Sequence, residues 1–289
     1  MFSKIMVLFD FSWPSRRALT CALSLGEAFR SEIVVAHAIG REEARDHPAE
    51  MGRFFRTQIE KELQSRKAPG PEKTKAVRIE VRTGRPAETL LEMIDQEKPD
   101  LVLAGTHGVT GLTHVFLGSV AERIVRHSSA PVFVVRRSDF PPRAILIPLD
   151  WEDDGEESLL LASELRNAFN ASVELVQVVE APTPLSIPPE AAPFLPPFDK
   201  EAALREARVR LRTIVSKHPE IPIIEHAAVG QPADEICRMA QQIGADLILM
   251  PTQGRKGLPR LLLGSVTEQV VRYAPCHVLT FHPGKFRRG

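Results

Sequence analysis

The sequence repeats itself, and this repeat constrains the fold more than any other feature. Asp100–Val135 aligns without a gap with Asp246–Phe281, 146 residues further on, and 15 of the 36 aligned positions are identical. The start of each half matches as well, because Ile5–Asp10 (IMVLFD) resembles Ile145–Asp150 (ILIPLD) at an offset of 140 residues. A chain of 289 residues is long enough for two domains of ordinary size. The sequence therefore predicts two copies of one fold.

Proline-rich segments mark the linker and one insert. The linker contains Asp139-Phe140-Pro141-Pro142, so we predict a first domain at 1–138, a linker at 139–143 and a second domain at 144–289. The segment 181–198 has seven prolines in 18 residues, which excludes a helix and favours an extended surface loop. This insert either bridges a strand to the next helix or binds a protein partner.

The composition excludes several classes of protein. Lys plus Arg and Asp plus Glu number 37 each, so the dense positive charge of a nucleic-acid-binding protein is missing. Three scattered cysteines provide neither a disulfide framework nor a CxxC metal site. No signal-peptide pattern is visible, and no apolar stretch approaches the roughly 20 residues of a membrane span. We expect a soluble cytoplasmic protein.

Short apolar runs alternate with helical patterns in each copy. Runs without polar alternation indicate strands that are buried on both faces, and helices between them favour parallel pairing. The sequence therefore predicts an α/β fold of two tandem doubly wound, Rossmann-like parallel sheets, each in the order β-α-β-α-β-α-β-α-β. In the first copy the predicted strands are Ile5–Phe9, Glu32–Ala38, Ala76–Val81, Leu101–Ala104 and Val132–Val135.

A glycine motif, Gly105-x2-Gly108-x9-Gly118-Ser119, follows the fourth predicted strand of the first copy. Open α/β sheets bind ligands beyond the carboxyl ends of their strands, where a glycine turn lets backbone N–H groups approach an anion. Ser119 stands at a predicted helix start, whose free amides and dipole favour phosphate oxygens. The motif predicts a polyphosphate site, although it is neither a Walker A loop nor a dinucleotide fingerprint.

This motif, together with Asp10 at the end of the first strand, resembles the ATP-binding type of the universal stress protein family. The resemblance covers nearly the whole chain, twice, and implies adenine nucleotide alpha hydrolase-like domains that bind ATP, AMP or ADP, with Mg²⁺ beside a triphosphate. Asp10 would contact the nucleoside, and the backbone at Ala38 would read adenine. The residues of the first copy that the resemblance assigns to nucleotide binding are Leu8, Phe9, Asp10, Ala38, Ala104, Gly105, Gly108, Gly118, Ser119 and Val120.

Each of these residues has a simpler alternative role. Asp10 could cap the first helix, and the glycines could serve turn geometry alone. His107 and His114 lie in the loop, but the sequence shows no carboxylate partner for either, so we interpret them as solvated loop residues. We predict no catalytic residue and no protein-only metal site.

The second copy departs from the motif at one position. Pro251 replaces the first glycine, and proline lacks an N–H and fixes φ near about −65°. The second pocket is weakened if that glycine donates to the ligand, and survives if only its carbonyl or small size matters. Arg255, Lys256 and Arg260 make this loop more cationic, which attracts phosphate. The corresponding nucleotide residues are Asp150, Val178, Met250, Gly254, Gly264, Ser265 and Val266.

The family resemblance also implies how the halves assemble. The last strands, Val132–Arg136 and His277–Phe281, would pair to form an intramolecular pseudo-dimer, and two such chains could form a homodimer. The leading hypothesis is a nucleotide-responsive stress or regulatory protein, with at most weak ATP hydrolysis. The alternative is a nucleotide-free dimerising scaffold that recruits a protein partner. An adenylating enzyme is a third hypothesis, but Phe9–Trp13 has bulky aromatic residues where that class has a phosphate loop.

Overall fold

A computed structural model describes residues 1–45, 47–66, 76–106, 117–151, 155–181, 198–252, 263–284 and 286. Strands and helices alternate in the first half as predicted. Ser12 caps the first helix, because its Oγ accepts a hydrogen bond from Ser15 N at 3.2 Å. The elements are β1 (Lys4–Leu8), α1 (Trp13–Phe29), β2 (Glu32–Gly40), α2 (Pro48–Ser65), β3 (Ala76–Gly84), α3 (Pro86–Glu97), β4 (Leu101–Gly105), α4 (Ser119–His127) and β5 (Val132–Val135).

The second half repeats this order. Asp199 caps the helix after the proline-rich insert, because its Oδ1 accepts from Ala202 N at 2.9 Å. Most of the insert, residues 182–197, lies outside the described residues. The elements are β6 (Ala144–Leu149), α5 (Glu156–Phe169), β7 (Ser172–Val179), α6 (Lys200–Ser216), β8 (Ile223–Val229), α7 (Pro232–Ile243), β9 (Leu247–Pro251), α8 (Ser265–Tyr273) and β10 (His277–Phe281).

The described strands form one ten-stranded sheet in the order β3-β2-β1-β4-β5-β10-β9-β6-β7-β8. Neighbouring strands within each half are parallel; Leu8 of β1, for example, lies opposite Ala36 of β2. The halves join where β5 and β10 run antiparallel, with Phe133 opposite Leu279. The predicted fold class and the predicted pairing of the two last strands are confirmed, and the chain is an internal pseudo-dimer.

Two hydrophobic layers cover the two faces of the sheet. Ile33 and Val34 are neighbours on β2, are both fully buried, and belong to different layers. The first layer includes Leu19 of α1, and the second includes Ile124 of α4. Burial on both faces is what uninterrupted apolar strands predict for a parallel sheet between helices.

Candidate functional site

The candidate site of the first half lies at the carboxyl ends of β1 and β4, which are neighbours in the sheet. The strand order reverses between them, and open α/β sheets bind ligands at such a switch point. Four predicted nucleotide residues from β1, β2, β4 and α4 share one hydrophobic layer here: Leu8, Ala38, Ala104 and Val120. The fold therefore gathers residues that are more than a hundred positions apart in the sequence.

Asp10 shapes the turn between β1 and α1. Its Oδ1 accepts a hydrogen bond from Ser12 N at 3.0 Å, and Ser12, not Asp10, caps the helix. The second carboxylate oxygen gives Asp10 further acceptor capacity. Phe9 is only 2% exposed, and its side chain belongs to the layer on the opposite face from Leu8. Asp10 thus has a structural role that leaves room for a ligand contact.

Gly105 lies against the first turn of α1. A Cβ at this position would stand 2.7 Å from the backbone carbon of Pro14 and 2.8 Å from Ser15 N, closer than real Cβ contacts. The end of β4 and the start of α1 therefore touch through a residue without a side chain. This close approach explains why the first position of the motif is a glycine, whether or not a ligand binds.

Equivalent backbone hydrogen bonds join the two ends of each candidate phosphate loop. Gly118 N donates to Thr106 O at 2.6 Å in the first half, and Gly264 N donates to Thr252 O at 2.8 Å in the second. Each glycine is the N-cap of its helix, and Ser119 and Ser265, the first helical residues, are exposed. Gly108 and Gly254 lie outside the described residues, as do His107, His114, Arg255, Lys256 and Arg260.

The turn after the first strand differs in the second half. Oδ1 of Asp150 accepts from Trp151 N at 2.6 Å, and the Asp150 carbonyl accepts from Arg210 Nη2 at 2.6 Å. The helix α5 begins at Glu156, whereas the start of α1, Trp13, aligns with position 153 at the offset of 140 residues. The first helix therefore starts later in the second half than in the first. In the first half, it is the start of this helix that contacts Gly105.

Pro251, the counterpart of Gly105, has its carbonyl engaged. Thr267 Oγ1 donates to Pro251 O at 3.1 Å. At an offset of 146 residues, Ala121 stands where the second half has Thr267, and alanine has no hydroxyl to donate. The second site therefore lacks the motif N–H and has an internal partner for its carbonyl. Val178, Met250 and Val266 share one hydrophobic layer, as their first-half counterparts do.

His37 is a buried polar residue behind the first site, which the sequence marks only as one histidine in an apolar strand. Its Nδ1 lies 2.7 Å from Phe9 O, so this nitrogen donates and Nε2 is left as an acceptor. The ring packs against Phe55, with centroids 4.6 Å apart, and burial lowers the pKa of His37. Gln177 occupies the aligned position in the second half and bonds to Arg210. The two halves thus differ in chemistry behind their sites.

Helices α4 and α8 meet across the boundary between the halves. Arg126 Nη2 lies 3.1 Å from Glu268 Oε2, and Arg272 Nη2 lies 3.5 Å from Glu122 Oε1. The four side chains are related by the repeat offset of 146 residues, so they form a pseudo-symmetric cluster, which we call the interdomain charge cluster. The cluster connects the first turn of each candidate phosphate helix with the last turn of the other.

Neither a metal-binding cluster nor a membrane-spanning helix occurs in the described part of the chain. No group of three or more His, Cys, Asp or Glu side chains there could hold a metal ion. None of the described helices is long and apolar enough to cross a membrane.

Comparison with known proteins identifies relatives of both halves. The profile of the universal stress protein family matches residues 1–136 and 142–282. A universal stress protein of Methanocaldococcus jannaschii is 32% identical over 148 residues, covering 50% of this chain and 85% of the relative. A universal stress protein E homolog of Haemophilus influenzae is 27% identical over 212 residues, covering 69% of this chain and 67% of the relative.

Solved structures share the fold over the whole chain. A universal stress protein of Archaeoglobus fulgidus superposes with a TM-score of 0.69 at 18% identity, covering 98% of this chain and all of that one (100%). A functionally unknown protein of Pseudomonas aeruginosa gives a TM-score of 0.71 at 18% identity, covering 99% of this chain and 94% of that one. With the family profile matched in both halves, the chain belongs to the universal stress protein family.

Proposed function

We propose that this protein binds an adenine nucleotide, ATP or its AMP and ADP relatives, and that occupancy regulates its assembly or its partner contacts. The observation that carries the proposal is the convergence of Leu8, Ala38, Ala104 and Val120 at the switch point of the first half. These small and apolar residues provide a surface for a planar base beside the carboxylate of Asp10. Family membership supports the same ligand class.

The start of α4 fits the phosphate groups. Its N-cap, Gly118, has no side chain to bind the amides of the first turn, and Ser119 presents an exposed hydroxyl. Free amides at a helix start and the positive end of the helix dipole favour phosphate oxygens. A Mg²⁺ ion would be held mainly by the phosphates, because the described residues supply no metal cluster of their own.

The first half is the stronger site in this proposal. In the second half, Pro251 has no N–H, and Thr267 already binds its carbonyl at 3.1 Å. In the first half, Gly105 keeps its N–H, and Ala121 offers no hydroxyl to its carbonyl. We therefore propose one well-bound nucleotide per chain.

We propose that the protein binds nucleotide without turning it over efficiently. His37 is a buried histidine behind the site, but its Nδ1 is committed to Phe9 O. A general base must reach the attacking water, and this side chain lies on the face of the sheet opposite Ala38.

Three free cysteines fit a reducing, cytoplasmic location. We also propose that two chains form a homodimer and that the proline-rich insert is a contact for a protein partner.

Counting released nucleotide tests this function. The purified chain is denatured, and the nucleotide in the supernatant is identified and quantified per chain. We expect one adenine nucleotide per chain, lost in Gly118→Glu because the new carboxylate occupies the phosphate end. The matched change Gly264→Glu, at the aligned position of the second half, should retain it. If no nucleotide is released and none binds when added back, the proposal is wrong and the nucleotide-free scaffold is favoured.

A further inference from the structure

The interdomain charge cluster places an arginine from one half beside the candidate phosphate helix of the other. Glu122 lies in the first turn of α4 and Arg272 in the last turn of α8. The pairs Glu122–Arg272 and Arg126–Glu268 join the first turn of each helix to the last turn of the other. This is the arrangement of antiparallel helices, and the strands that follow them, β5 and β10, are themselves antiparallel. The last turn of α8 therefore lies beside the first turn of α4, where Ser119 begins the helix.

Ser119 is within reach of this arginine. Residues three apart on a helix lie next to each other, with Cβ atoms about 5–6 Å apart, so Ser119 neighbours Glu122 on the same helix face. Arg272 is 32% exposed in its side chain, and its long stem allows the guanidinium to move by that distance. The guanidinium is therefore one helical turn from the proposed phosphate position.

Arg272 is held loosely where it lies. Its Nη2 is 3.5 Å from Glu122 and 3.6 Å from Glu268, beyond the usual length of a direct hydrogen bond, about 2.7–3.2 Å. The related Arg126 is held closer, at 3.1 Å from Glu268. A polyphosphate carries more charge than one carboxylate, and arginine binds phosphate oxygens in a bidentate fashion. A phosphate bound at Ser119 would therefore compete with Glu122 for Arg272.

We propose that Arg272, a residue of the second domain, is a phosphate-binding residue of the nucleotide site in the first domain. The inference rests on the proposed function and assigns a new residue to that site. Glu122 holds Arg272 when phosphate is absent and gives it up to the nucleotide. The first site is then complete only when both domains are present, which gives the tandem arrangement a role in binding as well as in folding.

Two substitutions that break the same ion pair separate this role from a structural one. Affinities for ATP and for adenosine are measured by titration calorimetry on the full chain. Arg272→Gln should weaken ATP binding about tenfold, the worth of one charged hydrogen bond, and leave adenosine binding unchanged. Glu122→Gln should strengthen ATP binding, because it removes the carboxylate that competes for Arg272 and repels the phosphates. A purely structural ion pair would shift both variants in the same direction.

Arg123→Gln is the matched control. Arg123 lies on α4 next to Glu122, is 53% exposed, and faces Glu88 at 3.8 Å rather than the other half of the chain. This variant removes the same charge from the same helix and should bind ATP as the wild type does. Two results would overturn this inference and leave the proposed function intact. One is equal ATP affinity in Arg272→Gln and wild type, and the other is equal weakening in Arg272→Gln and Glu122→Gln. A wild-type chain that binds neither ATP nor adenosine would overturn the proposed function with it.

Discussion

The guanidinium of Arg136, just beyond β5, donates to the backbone carbonyl of Arg272, at the end of α8 in the other half, at 2.8 Å. It also donates to the carbonyl of Val271. His282, which aligns with Arg136 in the repeat, lies 3.0 Å from the carbonyl of Ser128 through Nε2, at the end of α4. A carbonyl only accepts, so Nε2 donates. Each half therefore supplies a donor to the unpaired carbonyls at a helix end of the other half.

Replacing Arg136 by Gln should destabilise the joined domains. The shorter amide cannot reach the two carbonyls at the end of α8, and losing hydrogen bonds from a charged donor costs about 1.5–3 kcal/mol in the free energy of unfolding. Urea denaturation of the full chain measures this change. The adjacent Arg137→Gln is the control, because Arg137 faces the exposed Asp139 at 2.9 Å and should have a much smaller effect. Equal effects in the two variants would refute a specific role for Arg136.

The junction also contains a histidine that should make stability depend on pH. His277, at the start of β10, is fully buried; its Nδ1 accepts from Arg136 N at 3.1 Å, and its Nε2 lies 3.2 Å from Asp139 O. Burial lowers the pKa of His277 from 6.5 to about 4. The unfolded chain therefore takes up this proton at a higher pH than the folded chain, and folding becomes less favourable as the pH falls between these two values.

Comparing wild type with His277→Gln isolates this contribution. A pKa difference of one pH unit is worth about 1.4 kcal/mol, so the wild type should lose on the order of 3 kcal/mol between pH 6.5 and pH 4 through His277. Glutamine keeps an acceptor and a donor but does not titrate. His37, whose pKa is also lowered, contributes to the pH dependence of both proteins. Unfolding free energies with the same pH dependence in both proteins would show that His277 is not the titrating group.

Gly105→Ala should destabilise the fold even without nucleotide. The new Cβ would stand 2.7 Å from the backbone of Pro14, so α1 or β4 must shift, and overpacking of this kind costs about 1–3 kcal/mol. Gly52→Ala is the control, because Gly52 lies inside α2 with nothing within 4 Å of a new Cβ. That change should stabilise the chain by about 0.5–1 kcal/mol. Thermal unfolding distinguishes the two, and a neutral Gly105→Ala would contradict the close packing.

The repeat made the fold predictable, because two aligned copies show the same alternation of strands and helices. The antiparallel pairing of β5 with β10 followed from the family resemblance, and the register with Phe133 opposite Leu279 required the structure. Predicted strand ends were less accurate: β3 was predicted to stop at Val81 but runs to Gly84, along the longer β2. The length of a strand depends on the neighbouring strand with which it pairs, and the local sequence pattern gives no information about that neighbour.

The candidate site was only partly predictable. Gly118 was assigned from the motif and Asp10 from the family resemblance. The contact between Gly105 and Pro14, by contrast, joins residues about ninety positions apart and has no local signal. The interdomain charge cluster was missed for the same reason. Glu122 and Arg272 look like ordinary surface charges until the two helices are placed side by side.

Thr267→Ala should increase nucleotide binding to the second half. The hydroxyl of Thr267 occupies the carbonyl of Pro251 at 3.1 Å, and alanine is the residue that the first half has at the aligned position, Ala121. Freeing that carbonyl gives a nucleotide an acceptor that the second site otherwise lacks, so more than one nucleotide should be bound per chain at saturation. Calorimetric titration with ATP measures the stoichiometry.

Thr213→Ala is the control, because the Thr213 hydroxyl binds Val209 O at 3.0 Å within α6. If Thr267→Ala binds no more ATP than Thr213→Ala does, the difference between the halves does not depend on the occupied carbonyl, and the missing N–H of Pro251 remains its cause.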